Sequence, residues 1–265
     1  MSRLSNMVER PFTKTLQWKN EKFDKKLKKV TQEKGWYYYQ KSDIEGEKGT
    51  NVMVDMPFTF LYLLSATSFS GYNEENSASI FSNEVLSERD LKELFPRNVN
   101  ENVEEYTQKI RNAQVLTAKM GKDTIATGFY KDIKAQVVEK GGKYCQPVYA
   151  LMITEEGTEI VRVLISGSGI ETWIPFASPQ KLRTMGVSCC GSVEKTKGSN
   201  DYEAPKFQYV EVDEKYQLAA DDAAQQVLDY FKFLIGESTV VAEPKEELTT
   251  TEVGEGDNTL PWDKK

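Results

Sequence analysis

The residues best suited to chemistry in this chain are aromatic rings beside lysines. Trp36, Tyr37, Tyr38 and Tyr39 precede Lys41, and Phe129 and Tyr130 precede Lys131. Tyr144 follows Lys143, and Tyr202 follows a loop that carries Lys195 and Lys197. An unpaired nucleic-acid strand needs this pairing, because a ring stacks on a base while an ammonium group tracks a phosphate. Stacking contributes about 1–3 kcal/mol per base and tolerates any base. Release of counterions adds a salt-sensitive, sequence-independent contribution. The competing use of each ring is core packing or a cross-strand pair, which is the commoner fate of a single aromatic. Alternation along a strand puts Trp36 and Tyr38 on one face and Tyr37 and Tyr39 on the other, so one pair at most meets a ligand. Trp173, in the apolar run 170–176, reads as core.

Other chemistries lack their residues. The chain has no histidine, which removes Ser-His-Asp and Cys-His arrangements and the commonest nitrogen ligand of zinc. Its three cysteines, Cys145, Cys189 and Cys190, form no C-x-x-C, so neither a zinc ribbon nor a disulfide framework is expected, and a reducing cytoplasm fits best. There is no phosphate-binding G-x-x-x-x-G-K-[ST] and no G-x-G-x-x-G, and Asp221-Asp222 reads as a solvated helix face. The expectation is a non-enzymatic binding protein without cofactor or metal.

Charge and periodicity set the elements that must position these residues. Of 265 residues, the first 34 carry ten Lys/Arg against four Asp/Glu, and residues 237–265 carry eight Asp/Glu against three Lys, within a net charge of −7. This predicts a basic N-terminal arm (1–35), a folded body (36–236) and an acidic disordered tail (237–265) closing on the apolar Leu260-Pro261-Trp262. Phe23, Leu27 and Val30 recur at helical spacing, so a basic amphipathic helix is expected over residues 19–34. Strand patterns cover residues 36–41, 51–56, 58–64 and 79–82, with a loop starting at Gly71. Hairpins are expected from 115–120 with 124–130, 148–154 with 159–166, and 185–194 with 205–212. Helices are expected at 87–95, 132–140 and 169–176, the last ended by Pro179, and a long one runs from the Asp213 cap to Gly236. No stretch approaches the roughly 18 apolar residues of a membrane span.

The order of these segments resembles a known family. The aromatic run at 36–41, then Met56-Pro57-Phe58-Thr59-Phe60, the Gly71 loop and Phe81-Ser82-Asn83-Glu84-Val85 come first. Ala126-Thr127-Gly128-Phe129-Tyr130, Gly142-Lys143-Tyr144, Pro147-Val148-Tyr149 and Ser166-Gly167-Ser168 before Trp173 follow. Over residues 36–215 this is similar to the single-stranded DNA-binding proteins of tailed bacteriophages. The resemblance implies a mainly β fold with helices: an OB-like barrel elaborated with extra strands and a long C-terminal helix. It implies sequence-independent binding of single-stranded DNA in phage replication and recombination, in the host cytoplasm. It also implies that Asp257, Leu260, Pro261 and Trp262 resemble a tail tip that recruits replication and repair proteins. Asp263-Lys264-Lys265 departs from that pattern, since the aromatic is not terminal. A homo-oligomer is among the expected assemblies. The rival expectation is a phage interaction or inhibitory module that contacts a host protein through its acidic surface.

Overall fold

Long runs of β-forming residues dictate the centre of the molecule. The computed structural model describes residues 10–24, 26–42, 48–198 and 200–240. Sixteen residues, FTFLYLLSATSFSGYN, make the longest strand, β6 (Phe58–Asn73). Before it come β1 (Lys14–Lys19), β2 (Lys22–Asp24), β3 (Lys29–Gln32), β4 (Gly35–Gln40) and β5 (Thr50–Val54). After it come β7 (Ala78–Ser82), β8 (Val85–Leu86), α1 (Glu88–Leu94), α2 (Val103–Asn112), β9 (Leu116–Met120) and β10 (Asp123–Gly128). Next are α3 (Tyr130–Glu139), β11 (Gly142–Thr154), β12 (Gly157–Ser166), α4 (Ser168–Phe176) and α5 (Pro179–Thr184). The last elements are β13 (Gly186–Lys197), β14 (Asn200–Val210) and α6 (Glu214–Val240).

The fold is thus mainly β with helices. One large sheet runs in the order β10-β9-β7-β6-β11-β12-β1-β4-β5, with the β13–β14 hairpin joined to the start of β6. Among the described residues this path has two free ends, so the sheet is open and is not the closed barrel that the resemblance implies. It is nevertheless strongly curled. Six strand steps separate β4 from β14, roughly 29 Å if the sheet were flat. Yet the rings of Trp36 on β4 and Phe207 on β14 have centroids 6.3 Å apart. The curl encloses the main core: Leu16, Trp36, Phe58, Phe60, Val163, Trp173 and Phe207 are buried there together. Side chains, not strand pairing, bridge the opening. The Trp18 indole N–H donates to the Glu203 carbonyl at 3.2 Å, and Lys34 pairs with the Glu203 carboxylate.

Three further cores flank the sheet, one of them Leu61 and Leu151 against Ala220 and Ala223 of α6. Leu64, Ala66 and Tyr149 pack under α1, α2 and α6 through Leu91, Tyr106, Ile110, Val227 and Phe231. Phe69, Ile80, Leu116 and Ala118 pack against Ile133 and Val137 of α3.

Local expectations met tertiary competition in several places. Residues 19–34 form no helix. Gln17↔Tyr37, Trp18↔Trp36 and Lys19↔Gly35 pair in β1–β4, and Lys22↔Gln32 continues the same register into β2–β3. An isolated short helix is marginal in water. The ribbon instead extends two strands already fixed. Nor do residues 14–19 belong to a separate arm: β1 lies between β12, which it pairs in parallel, and β4, with Leu16 fully buried. The loop expected at Gly71 is the end of β6, paired as far as Asn73↔Ala78. Phe129 and Tyr130 do not end a strand. Phe129 caps α3, and Tyr130 begins it. Pro179 opens α5 at a first-turn position, where its missing N–H costs nothing. The helix α2 was not foreseen, although Asn102 caps it, Glu104 and Glu105 fill its first turn, and Tyr106 and Ile110 form its buried stripe. Gly236 lacks the left-handed backbone of a C-cap, and α6 runs on to Val240. The hairpins β9–β10 and β11–β12 and the helices α1, α3 and α4 stand where the sequence puts them, whereas β13–β14 stays paired out to Lys197↔Asn200, so Lys195, Lys197 and Tyr202 are strand residues and not members or neighbours of a long loop.

Candidate nucleic-acid interface

The predicted rings divide between interior and surface. Trp36 is fully buried, with rings of Trp18, Phe58 and Phe207 around it. Tyr37 is also buried. Its hydroxyl donates to the Glu33 carbonyl at 2.8 Å, and burial, then the nearby Glu33 charge, pushes its pKa up. Tyr38 is half-buried against the main core with the Lys14 ammonium 5.1 Å from its ring centroid. Only Tyr39 of this run is open to solvent, at 57%, near the exposed Lys41. Trp36 and Tyr37 are therefore packing residues, not base-stacking ones.

The second group assembles on the α3 side of the sheet. Tyr130 stacks on Phe69 with centroids 5.2 Å apart and meets Tyr144 edge-on at 5.3 Å. Phe129 is half-buried under the Arg111 guanidinium, 5.7 Å from its ring centroid. Burial raises the Tyr144 pKa, against a hydrogen bond with Thr67. Lys131 is exposed on α3. Strand alternation sends Lys143 to the opposite face from Tyr144, so that predicted pair cannot serve one ligand surface. In the third group, Lys195 and Tyr202 are directly opposed across β13–β14. Tyr202 is held by its hydrogen bond to the Glu171 carboxylate of α4, which raises its pKa ahead of burial and of the Glu171 charge. Lys197 ends β13, and its side chain lies outside the described residues, as do Asp257, Leu260, Pro261 and Trp262. The three groups sit on different elements.

The face that carries Lys143 holds what sequence reasoning missed. Cross-strand registers align Thr124, Lys119, Phe81, Ser70 and Lys143 across β10, β9, β7, β6 and β11. Directly opposed residues of antiparallel strands point to the same face. Ile80, next to Phe81, is buried in the α3 core, so Phe81 and its row face the other way. Phe81 is 46% exposed with lysines on both sides in the row. Tyr72, opposite Ser79, stands one step along on the same face and is 54% exposed. Gly141 packs against the Tyr72 backbone, where a Cβ would meet the Tyr72 carbonyl at 2.8 Å and where φ is +97°. The charges beyond are mixed: Glu74 and Glu75 follow Tyr72, and Lys122 and Asp123 turn β9 into β10. The missed signal was period-2 alternation. In Ser79-Ile80-Phe81-Ser82 only one of the two apolar side chains can face a core.

A cleft of about 520 Å³ lies elsewhere, floored by Leu16, Tyr38, Val54 and Met152 and rimmed by Glu155, Glu156 and Glu159. Lys14 already pairs with Glu159 there at 2.8 Å. Among the described residues no cluster of three or more His, Cys, Asp or Glu is placed to hold a metal ion, and no helix is long and apolar enough to cross a membrane. No family model, no curated protein and no solved structure matches the chain.

Proposed function

We propose that this protein binds single-stranded DNA without regard to sequence, coating and protecting strands during phage replication and recombination in the host cytoplasm. One observation carries the reading: exposed Phe81 and Tyr72 share an open sheet face with Lys119 and Lys143, in register across four strands. Rings supply stacking and lysines supply phosphate contacts, and neither selects a base. Kinship with OB-type domains belongs to the same proposal and is supported by the curl that brings β4 side chains against β14. Recruitment of replication proteins by the tail tip completes the proposed role. Fluorescence anisotropy with labelled oligo-dT over a salt series tests it. Affinity should fall steeply as salt rises, and absence of binding at low salt ends the proposal.

A second reading is favoured by the acidic rim of the Tyr38 cleft. Glu155 and Glu156, beside the Lys14–Glu159 pair and over an apolar floor, suit a cationic segment of a partner protein. Capture of such a partner that survives nuclease treatment, by a protein with no DNA affinity, would select it.

A further inference from the structure

The β2–β3 ribbon has no role in the single-strand face. Residues 19–34 carry seven lysines, Lys19, Lys22, Lys25, Lys26, Lys28, Lys29 and Lys34, against Glu21, Asp24 and Glu33, in a chain of net charge −7. β2 and β3 pair only with one another among the described residues. Every side chain from Lys26 to Thr31 is exposed, so the ribbon projects from the body. About six residues separate Lys19 from the turn, a reach of roughly 20 Å. Its base is held firmly. Trp18 donates from its indole N–H to Asn20 Oδ1 at 3.0 Å, Gln32 Nε2 donates to the Asn20 carbonyl at 2.8 Å, and Lys34 pairs with Glu203 of β14. Anchorage of this kind lowers the ordering cost of binding.

The composition discriminates between ligands. A single strand is held by rings, and residues 19–34 contain one aromatic, Phe23, against seven lysines. Duplex DNA offers no unstacked base, and its phosphates need only cations. Its major groove, about 12 Å wide and 8.5 Å deep, admits a two-stranded β-ribbon. Lysines on both strands, Lys22 on β2 and Lys29 on β3, then face the two phosphate walls. Leu27 and Val30, 61% and 43% exposed, give the apolar surface that meets thymine methyl groups on the groove floor.

We propose that the β2–β3 ribbon is a second nucleic-acid site, one that binds duplex DNA in the major groove. Together with the single-strand face it would place the protein at junctions between duplex and single strand; that placement alone rests on the reading above.

The test measures binding of the full chain to a blunt duplex and, separately, to oligo-dT, each across a salt series. The variants are a Lys22→Ala, Lys28→Ala, Lys29→Ala triple and a Lys22→Glu, Lys29→Glu double, with circular dichroism to verify the fold. Removing one lysine from its phosphate should lower the duplex salt slope by about 0.9, so the triple variant should bring the slope down by between about two and three units. Duplex affinity should fall at least tenfold in both variants, while oligo-dT affinity stays within about twofold, since that ligand is held by rings elsewhere. Absence of duplex binding by the wild-type protein at low salt overturns the proposal. So does an unchanged slope in the variants, or an equal loss on both ligands. Duplex binding that depends on the lysines, with no oligo-dT binding, sustains the ribbon site and removes the single-strand reading instead.

Discussion

Glu84 and Arg162, 78 residues apart in the chain, form an ion pair on the same side of the sheet as Phe81 and Lys143. Glu84 follows β7, and Arg162 lies on β12. The Tyr149 hydroxyl of β11 donates to the second carboxylate oxygen at 2.6 Å. Burial first, then the Glu84 charge, raises the Tyr149 pKa far enough to keep the phenol a donor. The pair ties the exit of β7 to the middle of the sheet. Glu84→Gln leaves the guanidinium without its counter-charge in a largely buried site, a loss of about 3 kcal/mol, the low end for a broken buried pair. Tyr149→Phe removes one hydrogen bond to a charged group, about 2 kcal/mol. Urea unfolding should show both losses. Changes within about 0.5 kcal/mol, the scale of ordinary surface substitutions, would count against the arrangement.

Trp36 tests the division between packing rings and ligand rings. It is fully buried where the curled sheet approaches itself. Trp36→Ala should destabilise the protein by about 3–5 kcal/mol, the range for emptying an aromatic core site. The fraction that remains folded should bind oligo-dT as the wild type does. Normal stability with weakened DNA binding would reverse the assignment.

Legibility in the sequence followed locality. Hairpins such as β11–β12 were readable because turn and alternation lie within 25 residues of one another. Capped helices such as α1, with Ser87 receiving the Asp90 N–H, were equally local. The ribbon was misread because Phe23, Leu27 and Val30 fit a helical period, while the β1–β4 pairing that decides the matter depends on β12, more than 130 residues away. The openness of the sheet was illegible for the same reason. At the site, adjacency of rings and lysines in sequence was the wrong measure. Lys143 and Tyr144 are neighbours in the chain and lie on opposite faces, whereas Lys119, Phe81 and Lys143 come from three separate strands and share one row.

Stability at acid pH should report on Glu203, the residue that closes the sheet opening. Hydrogen bonds from Lys34 first, and from Ser192, hold its pKa below the ordinary value, against burial. A carboxylate with a lowered folded pKa binds fewer protons folded than unfolded in that window. Its contribution is therefore complete above the ordinary Glu value of about 4.3 and is lost as pH falls through the lower, folded value. Glu203→Gln should be less stable than wild type at neutral pH and should converge on it below that window. Parallel pH profiles of the two proteins would show that Glu203 contributes nothing to the closure.

Tyr72 and Phe81 stand on adjacent strands at diagonal positions of one face, a separation of about 7–8 Å in regular antiparallel sheet. Two bases of one strand can then stack side by side, with Lys119 and Lys143 in line for phosphates. Tyr72→Ala and Phe81→Ala should each weaken oligo-dT binding by about 1–3 kcal/mol and leave the salt slope intact, since stacking releases no counterions. Lys119→Ala and Lys143→Ala should do the converse, each lowering the slope by about 0.7. All four side chains are partly or fully solvent-facing, so thermal unfolding should be little changed. The separation of the two effects is the decisive measurement. Ring variants that bind as wild type, together with lysine variants that lose slope, would leave a charged surface without a strand-stacking site.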